Sequence, residues 1–223
     1  ASLSRGELQY WLRLTLPPGA GDGSSRKLLA AFGLPEAVFA QPQAALLQVV
    51  SQAQARALAE PPPELDALVE QTWLWLQSAP GRHRMVTLAD AAYPASLLET
   101  ADPPLLLYLM GPAEFDLSQL GRSIAVVGSR NPTPQGASNA RAFGRALVEA
   151  GVTVVSGLAL GIDGAAHEGA LEAAGNESFL ATVAVVGTGL DRVYPARHRQ
   201  LAHRIAQQGL LVSELPLGTP PLT

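Results

Sequence analysis

The 223-residue sequence contains no cysteine and only one lysine, Lys27. The absence of cysteine excludes disulfides, thiolate zinc sites, iron–sulfur clusters and a cysteine nucleophile. No run approaches the roughly 20 apolar residues that a membrane span requires, and the first residues lack the basic-then-apolar pattern of a signal peptide. We therefore expect a cytoplasmic protein that has no membrane contact.

The charge balance argues against a conventional DNA-binding domain. The net charge is −4 and the isoelectric point is about 5.6, whereas a value above about 9 is typical of such domains. The charge is uneven, because residues 1–121 hold 7 basic and 12 acidic side chains and residues 122–223 hold 8 basic and 7 acidic ones. All eight are arginines, whose planar donors suit phosphate. Arginine-rich codon usage explains this excess equally well, so composition leaves the question open.

The first 60 residues have the pattern of short helices. Apolar residues at near-helical spacing from Leu8 to Leu14 precede a loop over residues 17–23, and breaks follow at Pro35 and Pro42. Short helices joined by tight turns are typical of a SAM-like or helix-hairpin-helix domain, here residues 1–60. Such domains bind DNA or protein, but an appendage that only packs is an equally good interpretation. The prolines at 61–63 mark a boundary, after which an apolar stripe predicts a linker helix within 61–84.

The second part of the chain alternates short apolar runs with helices. Four runs, at residues 124–127, 152–155, 182–186 and 210–212, each end in glycine or serine. Continuous apolar strands separated by helices are typical of a parallel sheet. The predicted fold is α/β, with a Rossmann-like, doubly wound and mostly parallel sheet over residues 85–223.

Four polar, glycine-rich loops follow these strands. They cover residues 128–136, 156–163, 187–195 and 213–220. In an open α/β sheet, ligands bind outside the carboxyl ends of the strands, and glycine lets backbone N–H groups approach an anion. Arg130 and Arg192 add positive charge, so the four loops together predict a phosphate-binding site.

Familiar catalytic and nucleotide-binding motifs are missing. Leu28 follows Lys27, so there is no Walker A loop, and Arg192 replaces the third glycine of the Rossmann dinucleotide fingerprint. His167 lacks the second histidine of a zincin motif, because Leu171 stands in its place. Asp163 opens a predicted helix and is interpreted as an N-cap or first-turn residue. We therefore predict no catalytic residues, no metal site and no cofactor.

Four motifs in order resemble one family. They are Ile124 to Arg130 with Asn131-Pro132-Thr133, Val154 to His167, Gly189 to Pro195, and Ser213-Glu214 with Gly218 to Pro221. This pattern is similar to the DprA/Smf family, the DNA-processing proteins of natural transformation. The resemblance is dense over about 122–221 and weaker toward residue 1.

The resemblance implies a function without enzymatic activity. Members of the family bind single-stranded DNA without sequence preference, load a RecA-type recombinase onto it and act as homodimers. The arginine of the Gly-Ser-Arg motif, here Arg130, lies in the family's DNA pocket. The DNA-binding residues expected from the resemblance are Gly128, Ser129, Arg130, Asn131, Gly157, Gly161, Thr188, Gly189, Arg192 and Tyr194. Tyr194 is the only aromatic residue in the four loops, so it is either a stacking platform for a base or a packed loop anchor.

The sequence departs from the family pattern in several places. Leu160 stands where many relatives have arginine, Arg197 and His198 replace a usual Glu-Asn pair, and residues 176–181 resemble an insertion. The family also continues after the position of Thr223 with a basic segment and more sheet, so we expect a chain truncated at its C-terminal side.

One enzymatic alternative remains open. Nucleotide phosphoribohydrolases of the lysine-decarboxylase-like (LOG) group have a related fold. They use a Pro-Gly-Gly-x-Gly-Thr motif with a downstream glutamate, and Glu214 follows the fourth strand here without that motif.

Overall fold

The computed structural model describes residues 3–16, 22–175 and 179–221. Most of the loop predicted over 17–23 and part of the insertion predicted over 176–181 lie outside the described residues. The chain divides into two compact units. One comprises Ala1–Ser78 with Met85–Leu106, and the other comprises Ala79–Arg84 with Leu107–Thr223.

The first unit consists mainly of helices. They are α1 (Arg5–Thr15), α2 (Asp22–Phe32), α3 (Pro35–Phe39), α4 (Gln43–Leu46), α5 (Gln52–Ala59), α6 (Leu65–Ser78) and the short α7 (Ala95–Leu98). Ser4 and Ser51 begin α1 and α5 with capping boxes, in which each serine accepts a backbone N–H and a side chain three residues later reaches back. Leu8, Leu12 and Leu28 are fully buried in the shared core. The prediction of short helices before residue 60 is confirmed.

The packing units differ from the domain boundaries that the sequence predicts. Residues 61–84 are predicted as a linker helix, but Leu65 and Val69 of α6 are buried in the core of the first unit. Met85 and Leu88 pack against the same core, although they lie after the predicted boundary at residue 84. The prolines at 61–63 mark a turn between helices, and a turn by itself does not reveal which core the next helix joins.

The second unit is built on a six-stranded sheet. Its strands are β1 (His83–Thr87), β2 (Leu106–Met110), β3 (Ser123–Ala125), β4 (Thr153–Ser156), β5 (Thr182–Val185) and β6 (Leu210–Ser213), in the order β1-β2-β6-β5-β4-β3. The strands β3, β4, β5 and β6 pair in parallel, and β2 pairs antiparallel with β6. Strand β3 is shorter than predicted, although the Val126 N–H still donates to the Val155 carbonyl. The α/β class is confirmed.

Three long helices connect the parallel strands. They are α8 (Pro134–Glu149), α9 (Ile162–Ala173) and α10 (Arg199–Gln208). Because β3 to β6 lie in sequential order, right-handed crossovers put these helices on one face of the sheet, where α9 contacts both α8 and α10. The sheet is mixed and mostly parallel, as the sequence predicts. No helix in the described part of the chain is long and apolar enough to cross a membrane.

Candidate nucleic-acid interface

The four loops that follow the parallel strands meet at one edge of the sheet. Residues 126–133 follow β3, residues 157–161 follow β4, residues 186–195 follow β5 and residues 214–221 follow β6. The parallel register aligns the strand ends, so that Ala125 lies beside Val155 and Ser156 lies beside Ala184. The loops therefore surround the position where open α/β sheets bind ligands.

All four loops contribute to one half-open cavity of about 340 Å³. Its lining residues are Arg130, Gly157, Ala159, Leu160, Gly187, Thr188, Tyr194, Pro195 and Pro221. Four of the residues predicted to bind DNA are among them, namely Arg130, Gly157, Thr188 and Tyr194. We call this space the loop cavity.

Arg130 carries the positive charge of the loop cavity. Its side chain is exposed, and no carboxylate of the described residues pairs with it. The guanidinium therefore keeps all its N–H donors available to a ligand. Tyr194 is 53% exposed and lines the same cavity, and the peptide bond between Tyr194 and Pro195 is cis.

Four of the residues predicted to bind DNA lie outside the cavity lining and shape the loop that carries Arg130. They are Gly128, Ser129, Asn131 and Gly161. The Ile162 N–H donates to the Ser129 carbonyl at 3.1 Å, and the Asn131 N–H donates to Ser129 Oγ at 3.1 Å. Gly161 has a φ of +84°, and a Cβ there would collide with the Ser129 carbonyl oxygen and lie 2.8 Å from the Arg130 carbonyl carbon. The first two loops thus touch backbone to backbone, which holds Arg130 beside the second loop.

The second loop is fixed by two side chains from outside it. One oxygen of the Asp163 carboxylate accepts from the Gly157 N–H at 3.1 Å and from the Ala159 N–H at 3.4 Å. His198 Nδ1 lies 2.8 Å from the Leu158 carbonyl oxygen, and because a carbonyl only accepts, the ring nitrogen donates. Leu158 is buried with a φ of +62°, a left-handed conformation that a leucine rarely adopts. The two side chains hold the cavity wall in this conformation.

His198 is a site residue that sequence reasoning missed. It lies just after Pro195, and its ring packs against Gly164, where a Cβ would be 2.6 Å from the imidazole. The contact with Leu158 joins residues 40 positions apart, and no local pattern signals it. By contrast, Asp163 does lie in the first turn of α9, as the sequence predicts.

Gly189 and Arg192 face away from the loop cavity. The Gly189 N–H donates to the Thr219 carbonyl, which ties the third loop to the fourth. Arg192 lines a second cavity and donates to Asp191 Oδ2 at 3.1 Å. Burial raises the pKa of Asp191, but hydrogen bonds from Arg192 and from the Gly218 N–H outweigh it and leave the pKa below its ordinary value. The guanidinium of Arg192 is thus partly neutralised.

His167 is a structural histidine behind the second loop. It is fully buried, and its Nδ1 lies 2.7 Å from Thr182 Oγ1, which itself donates to the Val154 carbonyl. The hydroxyl has only one hydrogen, so Nδ1 is the donor to it. Burial, reinforced by the nearby His198, lowers the pKa of His167 to about 3. The described residues contain no group of three or more side chains suited to a metal ion.

The fold and the loop cavity define a class of protein. An α/β sheet with an exposed arginine and an exposed tyrosine in a cavity at the strand ends has the arrangement in which open α/β proteins bind ligands. The sequence model of DNA recombination-mediator protein A matches residues 84–223. The chain belongs to this family.

Curated relatives agree with this assignment. The chain is 43% identical over 140 residues to protein Smf of Synechocystis, an alignment that covers 62% of this chain and 34% of the relative. It is 40% identical to protein Smf of Escherichia coli over 156 residues, covering 69% and 39% of the two chains. It thus spans about a third of the length of these relatives.

Two solved structures have the same architecture. The X-ray structure of DNA processing protein A from Streptococcus pneumoniae superposes with a TM-score of 0.73 at 27% identity, covering 100% of this chain and 71% of that one. A structure of the Helicobacter pylori protein, described for its unique single-stranded DNA binding mode, gives a TM-score of 0.52 at 29% identity and covers 64% and 61%. The resemblance to the DprA/Smf family is thereby confirmed.

Proposed function

We propose that the chain binds single-stranded DNA without sequence preference through the loop cavity. The observation that carries the proposal is the unpaired, exposed guanidinium of Arg130 in a cavity to which all four strand-end loops contribute. A phosphate beside Arg130 would accept its parallel N–H donors, which match phosphate geometry.

The chemistry of the cavity explains why sequence would not matter. Contacts to phosphate and sugar position a strand but carry no sequence information. Stacking of a base on the exposed ring of Tyr194 would add about 1–3 kcal/mol, and every base offers such a face. Gly157 and Gly187 present backbone rather than side chains to the ligand.

The acidic net charge of the chain does not oppose this function. Short-range contacts within a cavity depend on the charges that face it, because exposed charges more than about 10 Å away are largely screened at ordinary salt. Among the residues that the structure describes, no aspartate or glutamate lines the loop cavity. Leu160, however, stands where many relatives carry arginine, so we expect the affinity of a single chain to be modest.

The wider role follows from the family. We propose that the protein acts in the processing of DNA taken up during natural transformation, in the cytoplasm. A RecA-type recombinase is the expected partner, since the family is described as a recombination mediator. A homodimer would place two loop cavities on one strand and raise the affinity through effective concentration. Sedimentation of the protein with and without oligo-dT tests the dimer, and recovery of a recombinase on a protein-coated strand tests the partner.

Titration of fluorescent oligo-dT tests the binding site. Arg130→Ala is expected to weaken binding by about 1–3 kcal/mol, the range for a hydrogen bond to a charged group, and to reduce the salt dependence. Leu160→Arg adds a guanidinium to the same cavity and is expected to strengthen binding.

The control is Arg122→Ala, which removes the same charge just before β3, at the end of the strand away from the loops. Equal affinities of the wild-type and Arg130→Ala proteins would contradict the site. Release of a free base from a nucleoside monophosphate would instead favour the phosphoribohydrolase alternative.

A further inference from the structure

A second half-open cavity of about 440 Å³ lies on the other side of the third loop. Its floor is aliphatic and includes Met110, Leu190 and Leu211, and its rim carries Arg192, Arg199 and His203. We call it the helix cavity, because α10 forms one wall. It differs from the loop cavity in that no tyrosine, phenylalanine or tryptophan of the described residues lines it.

The third loop is the wall that the two cavities share. Thr188 and Tyr194 line the loop cavity, while Leu190 and Val193 line the helix cavity. Adjacent residues, Val193 and Tyr194, thus face opposite cavities. A ligand longer than the loop cavity needs to cross only this segment to reach the helix cavity.

The rim of the helix cavity carries one arginine, Arg199, that has no ion-pair partner among the described residues. Asp191, the only acidic residue that the described part of the chain contributes to the lining, is already hydrogen-bonded to Arg192. Arg199 and His203 are exposed and have no hydrogen bond or ion pair to another side chain of the described residues. They are four residues apart on α10, so they lie on one helix face, about 5–6 Å apart at their Cβ atoms.

We propose that the helix cavity is a second subsite for the same single strand of DNA. This inference rests on the proposed function of the loop cavity. The strand leaves the loop cavity past Tyr194, and the next phosphates lie at Arg199 and His203. The intervening base packs on the aliphatic floor, which offers no hydrogen-bonding pattern that would select one base. The position of Arg199 on this rim favours a polyanion that also contacts the neighbouring loop cavity.

The subsite predicts a dependence on oligonucleotide length. A strand short enough to occupy only the loop cavity gains nothing from Arg199 and His203, whereas a longer one gains contacts to both. For single strands, each phosphate neutralised steepens the salt dependence by about 0.7 in the slope of log K against log salt. Removal of the Arg199 charge should therefore flatten the slope by about 0.7 for long strands only.

The test compares oligo-dT of 2, 4, 6, 8 and 12 nucleotides on the wild-type protein and on Arg199→Gln/His203→Gln, with Arg122→Gln as the control. We expect the double variant to match wild type on the shortest strand that Arg130→Ala weakens. On longer strands we expect about a tenfold or greater loss, which is the effect of 1.4 kcal/mol or more. Thermal unfolding of each variant shows whether its fold is intact.

The other outcomes separate this inference from the proposed function. An unchanged affinity at every length would overturn the subsite while leaving the loop cavity in place, and binding of an acidic peptide by the same residues would reassign the helix cavity. A loss that is equal at all lengths would show that the substitutions disturb the loop cavity itself, and this also overturns the subsite. If the wild-type protein binds no strand, both proposals fail.

Discussion

At the scale of single residues, the loop cavity depends on backbone approach as much as on charge. Arg130 would contact the ligand, but its position follows from Gly161, which allows the second loop to press against the carbonyl groups of Ser129 and Arg130. The positive φ of Gly161 is accessible to glycine at no steric cost, whereas other residues are strained there. Conformation and close packing thus both require glycine at this position.

Gly161→Ala should therefore destabilise the protein and weaken DNA binding together. A residue with a Cβ is strained at this φ and would also push the first two loops apart, so we expect a loss of more than about 1 kcal/mol in the free energy of unfolding. Urea unfolding measures the loss. Gly121→Ala is the control, because nothing lies within 4 Å of a Cβ at Gly121 and its φ is not in the left-handed region. Equal stability of the two variants would refute the packing role of Gly161.

At the scale of elements, the start of α10 holds the second loop in place, and the third loop lines the same cavity. Tyr194 and Pro195 line the loop cavity, and three residues later His198 donates to the carbonyl of Leu158 in the second loop. The contact joins two walls of the cavity through one ring. Asp163 restrains the same loop from the first turn of α9, so two helix starts fix the conformation of Leu158.

Two substitutions of His198 distinguish the effect of its N–H donor from the effect of its ring. His198→Leu removes the hydrogen bond and leaves the buried carbonyl of Leu158 unsatisfied, which costs about 1–3 kcal/mol. We expect weaker oligo-dT binding in addition to lower stability. His198→Asn keeps an N–H donor and is expected to recover much of the affinity. If the asparagine and leucine variants bind equally weakly, the hydrogen bond is not what positions the loop.

At the scale of the whole molecule, the chain passes between its two packing units three times, namely after α6, within β1 and within β2. Residues 79–84 and 107–110 belong to the unit that carries the sheet, while the residues between them belong to the helical unit. The described part of this acidic chain contributes no acidic residue to the lining of the loop cavity. The proposed binding of a polyanion therefore depends on the local arrangement of charge and not on the net charge.

Global stability should depend on pH through His167. Its pKa is about 3 in the folded protein and near 6.5 when unfolded, so between these values the unfolded chain binds the extra proton. The free energy of unfolding therefore falls as pH decreases from about 6.5 toward 3, by at most about 1.4 kcal/mol per pH unit from this group.

Urea unfolding at several pH values measures the free energy of unfolding of the wild-type protein and of a variant, and the difference between their pH curves gives the effect. His167→Gln should flatten the curve in this window relative to the wild-type protein. A curve of the same shape for wild type and His167→Gln would contradict a neutral, buried His167.

The local sequence could predict the repeated units of the fold, in which a strand is followed by a loop and a helix. Apolar runs closed by glycine indicated β3 to β6, and their loops indicated an anion site with Arg130 as its cation. The apolar run of β2 does predict a strand, but its antiparallel pairing with β6 could not be predicted, because a local run carries no signal for a partner far away in the sequence. The placement of Arg192 was also not predictable, since its direction depends on the hydrogen bonds that Asp191 makes with Gly218 and with Arg192 itself.

The amino-acid sequence by itself determined the α/β class, the four strand-end loops and the family, because strand and turn preferences and short motifs are local properties of the chain. The tertiary structure alone decided which loop residues share a cavity. In the structure, Arg130 and Tyr194 line one cavity and Arg192 lines another. His198 contacts the second loop, and α6 packs in the helical core. These outcomes depend on contacts between residues far apart in sequence, which form only when the strands are aligned and the helices are packed.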